Sequence, residues 1–140
     1  MSIPIAISGT DLIGQARTGT GKTLAFGVSA LQRIVLPGDE GWTQSGSRLP
    51  QALVMCPTRE LALQVSRDID TAARVRGARV LTVYGGVGYD SQIDALKRGV
   101  DVVVGTPGRL LDLVGRRDLN LTSCSIVVLD EADKMLDLGF

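Results

Sequence analysis

The chain has no histidine among its 140 residues. That absence excludes Ser-His-Asp and Cys-His nucleophilic sites, and His-ligated metals, from the chemistry this chain can itself perform. Cysteine is scarce: Cys56 and Cys124 are far apart, match no metal-binding spacing, and adjoin apolar runs. They read as small buried hydrophobes in a reducing compartment. No charge of either sign is in excess, because 15 Lys and Arg balance 15 Asp and Glu. Bulk basic character therefore does not advertise a nucleic-acid partner, and any such contact must come from local loops. Long hydrophobic runs are also missing. The opening stretch 1–7 is apolar but lacks a basic flank, and Asp11 interrupts it before it reaches the length of a signal or membrane segment. The expectation is a cytoplasmic protein that makes no use of a membrane.

What is present is ordinary for a globular domain, with 44% hydrophobic and 21% charged residues, and is enough for one packed core. Five short apolar runs recur: Asp11-Leu12-Ile13-Gly14, Ala52 to Cys56, Val80 to Tyr84, Val102 to Val104, and Ile126 to Leu129. Four are nearly continuous, as in strands buried on both faces. Helical spacing lies between them, with faces at Leu24, Val28, Leu31 and Ile34, and at Leu61, Val65, Ile69 and Ala72. Two further faces fall at Ile93, Leu96 and Lys97, and at Leu110, Leu111 and Val114. This alternation predicts an α/β fold with a mostly parallel sheet flanked by helices, and ligands at the carboxyl ends of its strands. The polar, glycine-rich stretch from Pro37 to Pro50 reads as a surface loop. Trp42 within it suits packing against the loop's own stem better than stacking on a base.

Two strings carry the chemistry. The first, Ala16-Arg17-Thr18-Gly19-Thr20-Gly21-Lys22-Thr23, is a glycine-rich loop between a strand and a helix. Gly19 and Gly21 let backbone N–H groups turn toward phosphate oxygens, and Lys22 places a charge beside them. Thr23, at a helix start, offers a hydroxyl to Mg²⁺. The second, Asp130-Glu131-Ala132-Asp133, ends an apolar strand. Alone, such acids also suit a solvated strand end. Beside a phosphate loop, Asp130 suits Mg²⁺, through water, and Glu131 suits a base for the attacking water. Asp133 also fits a plain first-turn acid of a helix. Both strings together read as the two halves of a nucleoside triphosphate site that uses Mg²⁺.

Three further strings fall between these two, in order: Pro57-Thr58-Arg59-Glu60-Leu61, Gly85-Gly86, and Thr106-Pro107-Gly108-Arg109. Singly, each fits an ordinary turn. As an ordered set of five motifs spanning almost the whole chain, they resemble the first RecA-like domain of DEAD-box ATP-dependent RNA helicases. The trailing Met135 to Phe140 is similar as well.

The resemblance implies a P-loop domain whose 57–59, 85–86 and 106–109 loops grip the sugar-phosphate backbone of one RNA strand, with little base preference. It gives Asp133 a part in coupling the motifs. It implies a partial domain over 1–140, with an adenine-reading segment before Met1. A second RecA-like domain with arginine fingers would follow Phe140. It also implies that a strand ending in Ser-Ala-Thr belongs between the glycine-loop strand and the Asp-Glu strand, so that these 140 residues leave a slot there. Two other readings stay open: another superfamily-2 motor such as a DNA helicase, and a non-catalytic nucleotide- or RNA-binding piece. Asp133 and the Pro-Thr-Arg-Glu-Leu string argue against the first.

Overall fold

The computed structural model describes residues 11–16, 29–39, 42 and 48–130; for 11–16 and for Asp130 the description concerns the backbone. All five apolar runs form strands: β1 (Asp11–Ala16), β2 (Ala52–Met55), β3 (Val80–Val83), β4 (Val102–Gly105) and β5 (Ile126–Asp130). Among the described residues three helices with defined ends alternate with them, α1 (Arg59–Arg76), α2 (Asp90–Arg98) and α3 (Pro107–Gly115). Residues 29–33, within the stretch expected to form the first helix, are helical too. The strands make one five-stranded sheet in the order β1-β5-β2-β4-β3, with every neighbouring pair parallel.

Continuous apolar strands are required because both faces are covered. Ala52, Val54, Val102, Val104, Ile126 and Val128 point to one side, where they pack on Leu31 and Ile34 and on Ala62, Val65, Ile69 and Ala73 of α1. Leu53, Met55, Val103, Val127 and Leu129 point to the other, against Leu96 of α2 and Leu110 and Leu113 of α3. Strand β3, with a neighbour on one side only, has three half-buried residues before Val83. The two cysteines are buried, one in each core layer.

The helix faces differ in detail from their sequence patterns. Lys97 is exposed, and α2 turns Gln92 and Leu96 inward instead. Leu111 is 44% exposed, because α3 directs Leu110 and Leu113 to the core. Helix α1 begins at Thr58, whose Oγ1 accepts from the Leu61 N–H, and ends at Gly77 with φ +77°, a left-handed cap.

The expected slot between the first and last strands is absent. β1 lies directly against β5, pairing Asp11 with Ile126, Leu12 with Val127, and Gly14 to Ala16 with Val128 to Asp130. The physical reason is the cost of orphaned backbone groups, about 1–3 kcal/mol each when buried. Direct pairing satisfies both edges, and the register shift between Leu12 and Gly14 accommodates the mismatch as a bulge.

At the opposite end of the sheet a buried ion pair ties the 37–50 loop to its base. Asp101 is fully buried; it accepts from Arg48 Nε at 2.8 Å, Arg48 Nη2 at 2.7 Å and the Arg79 N–H at 2.8 Å. The Arg48 guanidinium also lies over the Trp42 ring, 5.9 Å from its centroid, so Trp42 packs on its own loop's stem. Gly99, at φ +102°, makes room: a Cβ there would lie 2.7 Å from Arg48 Cβ. Among the described residues, no helix is long and apolar enough to cross a membrane.

Removing one partner of a buried pair leaves the other charge uncompensated. Arg48→Ala should therefore lower the unfolding free energy by about 3 kcal/mol in urea melts at neutral pH. A loss below about 1 kcal/mol, the range of a surface pair, would show that water reaches Asp101.

Candidate nucleotide and RNA site

Because all five strands are parallel and in step, their carboxyl ends form one rim. Ala16 is level with Asp130, Met55 with both Leu129 and Gly105, and Val83 with Gly105. Every motif singled out in the sequence starts within a few residues of that rim. The register sets Ala16, first residue of the glycine-rich loop, directly across from Asp130. Arg17, Thr18, Gly19, Thr20, Gly21, Lys22, Thr23, Glu131 and Asp133 lie outside the described residues, and Ala16 and Asp130 are placed by their backbone. Among the described residues, no cluster of three or more His, Cys, Asp or Glu could hold a metal ion.

The three middle loops are described in full. Beyond β2, the Cys56 N–H extends the ladder to the Gly105 carbonyl at 2.9 Å, and Pro57 is buried. Thr58 is exposed; since its oxygen accepts from the Leu61 N–H at 3.2 Å, its own O–H stays available to donate outward. Arg59 is exposed, with its guanidinium over the Tyr84 ring, 4.7 Å from the centroid. A Cβ on Gly86 would lie 4.0 Å from Arg59 Nη1, so the 57–59 and 85–86 loops are neighbours. Gly86, at φ +82°, occupies a conformation that favours glycine, whereas Gly85 and Gly108 face open space.

Beyond β4, Thr106 is extended and caps α3 without a side-chain bond, leaving its hydroxyl uncommitted, and Pro107 sits in the first turn. The Thr106 backbone N–H donates to the Val83 carbonyl at 3.1 Å. Thr58 and Thr106 thus stand at the starts of two helices that rise from the same rim, where amide hydrogens and the helix dipole favour anions. Gly105 is tightly enclosed: a Cβ there would lie 2.6 Å from Val83 Cγ2 and 2.9 Å from Leu110 Cγ, so both side chains would have to shift.

Arg109 departs from its sequence reading as an outward charge. It is buried, with Nη1 donating to Gln92 Oε1 at 2.9 Å and Nη2 to the Val87 carbonyl at 2.8 Å. Its guanidinium lies 4.1 Å from the centroid of Tyr89, over which Arg116 also packs at 4.2 Å. The Tyr89 hydroxyl donates to the Asp112 carboxylate. Sequence reasoning passed over Gln92, Tyr89 and Asp112. A signal for Gln92 existed in its place four residues before Leu96, on the inward side of α2.

A family model described as DEAD/DEAH box helicase matches residues 1–140. The chain belongs to the DEAD/DEAH box helicase family. It is 46% identical to the ATP-dependent RNA helicases RhlB of Yersinia pestis (strain Pestoides F) and Yersinia pseudotuberculosis (serotype O:1b, strain IP 31758). In each case the similarity spans all of this chain and 32% of the relative, so the chain covers about a third of those proteins. The crystal structure of the yeast DEAD-box splicing factor Prp28 superposes with a TM-score of 0.74 at 32% identity, over 98% of this chain and 31% of that one. The fold is thus the RecA-like α/β domain of DEAD-box helicases, as the motif order implied.

Within this DEAD-box rim, the Tyr89 hydroxyl is held above the ordinary phenol range. The bond to Asp112 is the main cause, followed by burial and the Asp112 charge; Arg109 and Arg116 oppose it. A folded value above the unfolded one means that the contribution to stability is complete below the unfolded pKa and disappears as pH rises through the folded value. In a Tyr84→Phe background, Tyr89 is the only tyrosine. Its phenolate absorbance should appear above pH ~10 and move down when Asp112 becomes Asn. An unmoved titration would show that the hydroxyl does not depend on that carboxylate.

Proposed function

We propose that this chain is the ATP-binding and RNA-gripping part of an ATP-dependent RNA helicase that acts in the cytoplasm. The observation that carries the reading is the register of β1 on β5, which brings the start of the glycine-rich loop level with Asp130. In this reading Ala16 to Thr23 wrap the phosphates with backbone amides, and Lys22 supplies a compact positive charge beside them. Glu131 orients the attacking water and takes its proton. Asp133 couples this site to its neighbours.

The oxygen donors at hand, the Asp130 carboxylate and the Thr23 hydroxyl, are of the hard kind that suits Mg²⁺. Bound there, the ion would offset phosphate charge. The RNA face comprises Pro57, Thr58, Arg59, Gly85, Gly86, Thr106, Pro107, Gly108 and Arg109. Thr58, Thr106, Arg59 and the amides at 85–86 and 108 touch the sugar-phosphate backbone, and Arg109 works from behind. Nothing in that set addresses a base edge, so binding is sequence-tolerant. A second RecA-like domain completes the machine and closes on both ligands. Its arginine fingers, worth about 10³–10⁵ in rate, make turnover depend on it.

In a protein joining this chain to such a domain, Glu131→Gln should retain MgATP binding while turnover falls roughly 10²–10⁴-fold. Lys22→Ala should weaken nucleotide binding itself. Titration with a fluorescent nucleotide, run beside a phosphate-release assay, separates the two effects. Undiminished turnover in the Glu131 variant, or stimulation by DNA equal to that by RNA, would sink the proposal.

A further inference from the structure

Gly85 and Gly86 sit in a turn whose two ends are both gripped from behind. At the entry, Gln92 Nε2 donates to the Tyr84 carbonyl at 3.3 Å; at the exit, Arg109 Nη2 donates to the Val87 carbonyl at 2.8 Å. Gln92 and Arg109 are joined by their own 2.9 Å bond. One polar chain, Tyr84–Gln92–Arg109–Val87, therefore fixes the glycine turn to the first turn of α3, which presents Thr106 and Gly108.

The hydrogen bonds of Arg109 are made to neutral oxygens. Among the described residues no carboxylate pairs with Arg109, and the face of the Tyr89 ring holds its guanidinium instead. Tyr89 is anchored in turn to α3, by its hydroxyl on Asp112 and by Arg116 over the same ring, while Arg116 Nε reaches Asp118 at 3.1 Å. The residue thus belongs to the start of α2 but is bound mainly to α3.

We infer that Tyr89 is a positioning residue which locks the Gly85-Gly86 turn and the 106–109 loop into one rigid phosphate-binding surface, through the face of its ring on Arg109. The inference rests on the reading of these loops as RNA-facing. Tyr89 touches no RNA itself. It sets the spacing of neutral amides, so its removal costs affinity without removing a charge.

The test compares Tyr89→Leu, which keeps bulk but has no π face, with Tyr89→Phe, which keeps the face and loses only the hydroxyl. Binding of a single-stranded oligouridine is measured across a salt series, and amide hydrogen exchange is followed at 85–88 and 106–108. Tyr89→Leu should bind roughly five- to thirtyfold more weakly, the equivalent of two cation–π contacts. Its salt slope should equal that of the wild type, since no phosphate contact of a cation is lost. Exchange should quicken in both loops together. Tyr89→Phe should recover most of the affinity and protection. A Leu variant that binds like the wild type, a Phe variant as weak as Leu, or a reduced salt slope would each overturn the role given to the ring. Failure of the wild-type chain to bind oligouridine would instead overturn the RNA-facing reading, and this inference with it.

Discussion

Everything at the site depends on one constraint, a parallel sheet buried on both faces. Such strands have no room for polar side chains along their length, so chemistry collects where they end. Leu53, Val54, Val103, Val104 and Val128 are all fully buried, and polar residues begin two positions beyond Val104 and Val128 and four beyond Val54. Since neighbouring strands run in step, the register of the sheet alone brings five separate loop beginnings to one rim.

That constraint also explains what was legible in the sequence. Continuous apolar runs report burial on both faces, so four strands could be read directly, and the weaker Asp11 run could be read from the glycine-rich string that follows it in sequence. Glycine, proline and threonine at strand ends report turns and helix caps, and Thr58 and Thr106 do open α1 and α3. Strand order was less accessible. The resemblance implied a strand between β1 and β5, yet these two pair directly. Local sequence fixes which residues can be strands, whereas adjacency follows from which edges remain to be satisfied.

Side-chain direction was the least legible property. Arg109 stands beside Pro107 and Gly108 in a helix's first turn, where arginine is ordinarily solvated. Its inward turn depends on Gln92, Val87 and Tyr89, which arrive from a different strand-helix unit. A pattern within one segment cannot announce a partner supplied by another. The same holds for Asp101, an acid at the start of an apolar strand, whose burial makes sense only with Arg48 from 53 residues earlier.

Arg48 and Arg109 suggest a division of labour between the ends of the sheet. At the base, Arg48 meets a carboxylate and makes a neutral, closed pair with Asp101. At the rim, Arg109 meets carbonyl and amide oxygens and an aromatic face, so its positive charge is held in place without being neutralised. A charge fixed just beneath a surface of amide hydrogens adds to their pull on a phosphate, and no side chain must be ordered when the ligand arrives. With Arg109 turned inward, Arg59 is the exposed cation among the nine residues assigned to the RNA face. On the proposed RNA-facing reading, a chain of zero net charge holds a polyanion through preorganised dipoles and a few fixed charges, provided the loops carrying them do not move relative to one another.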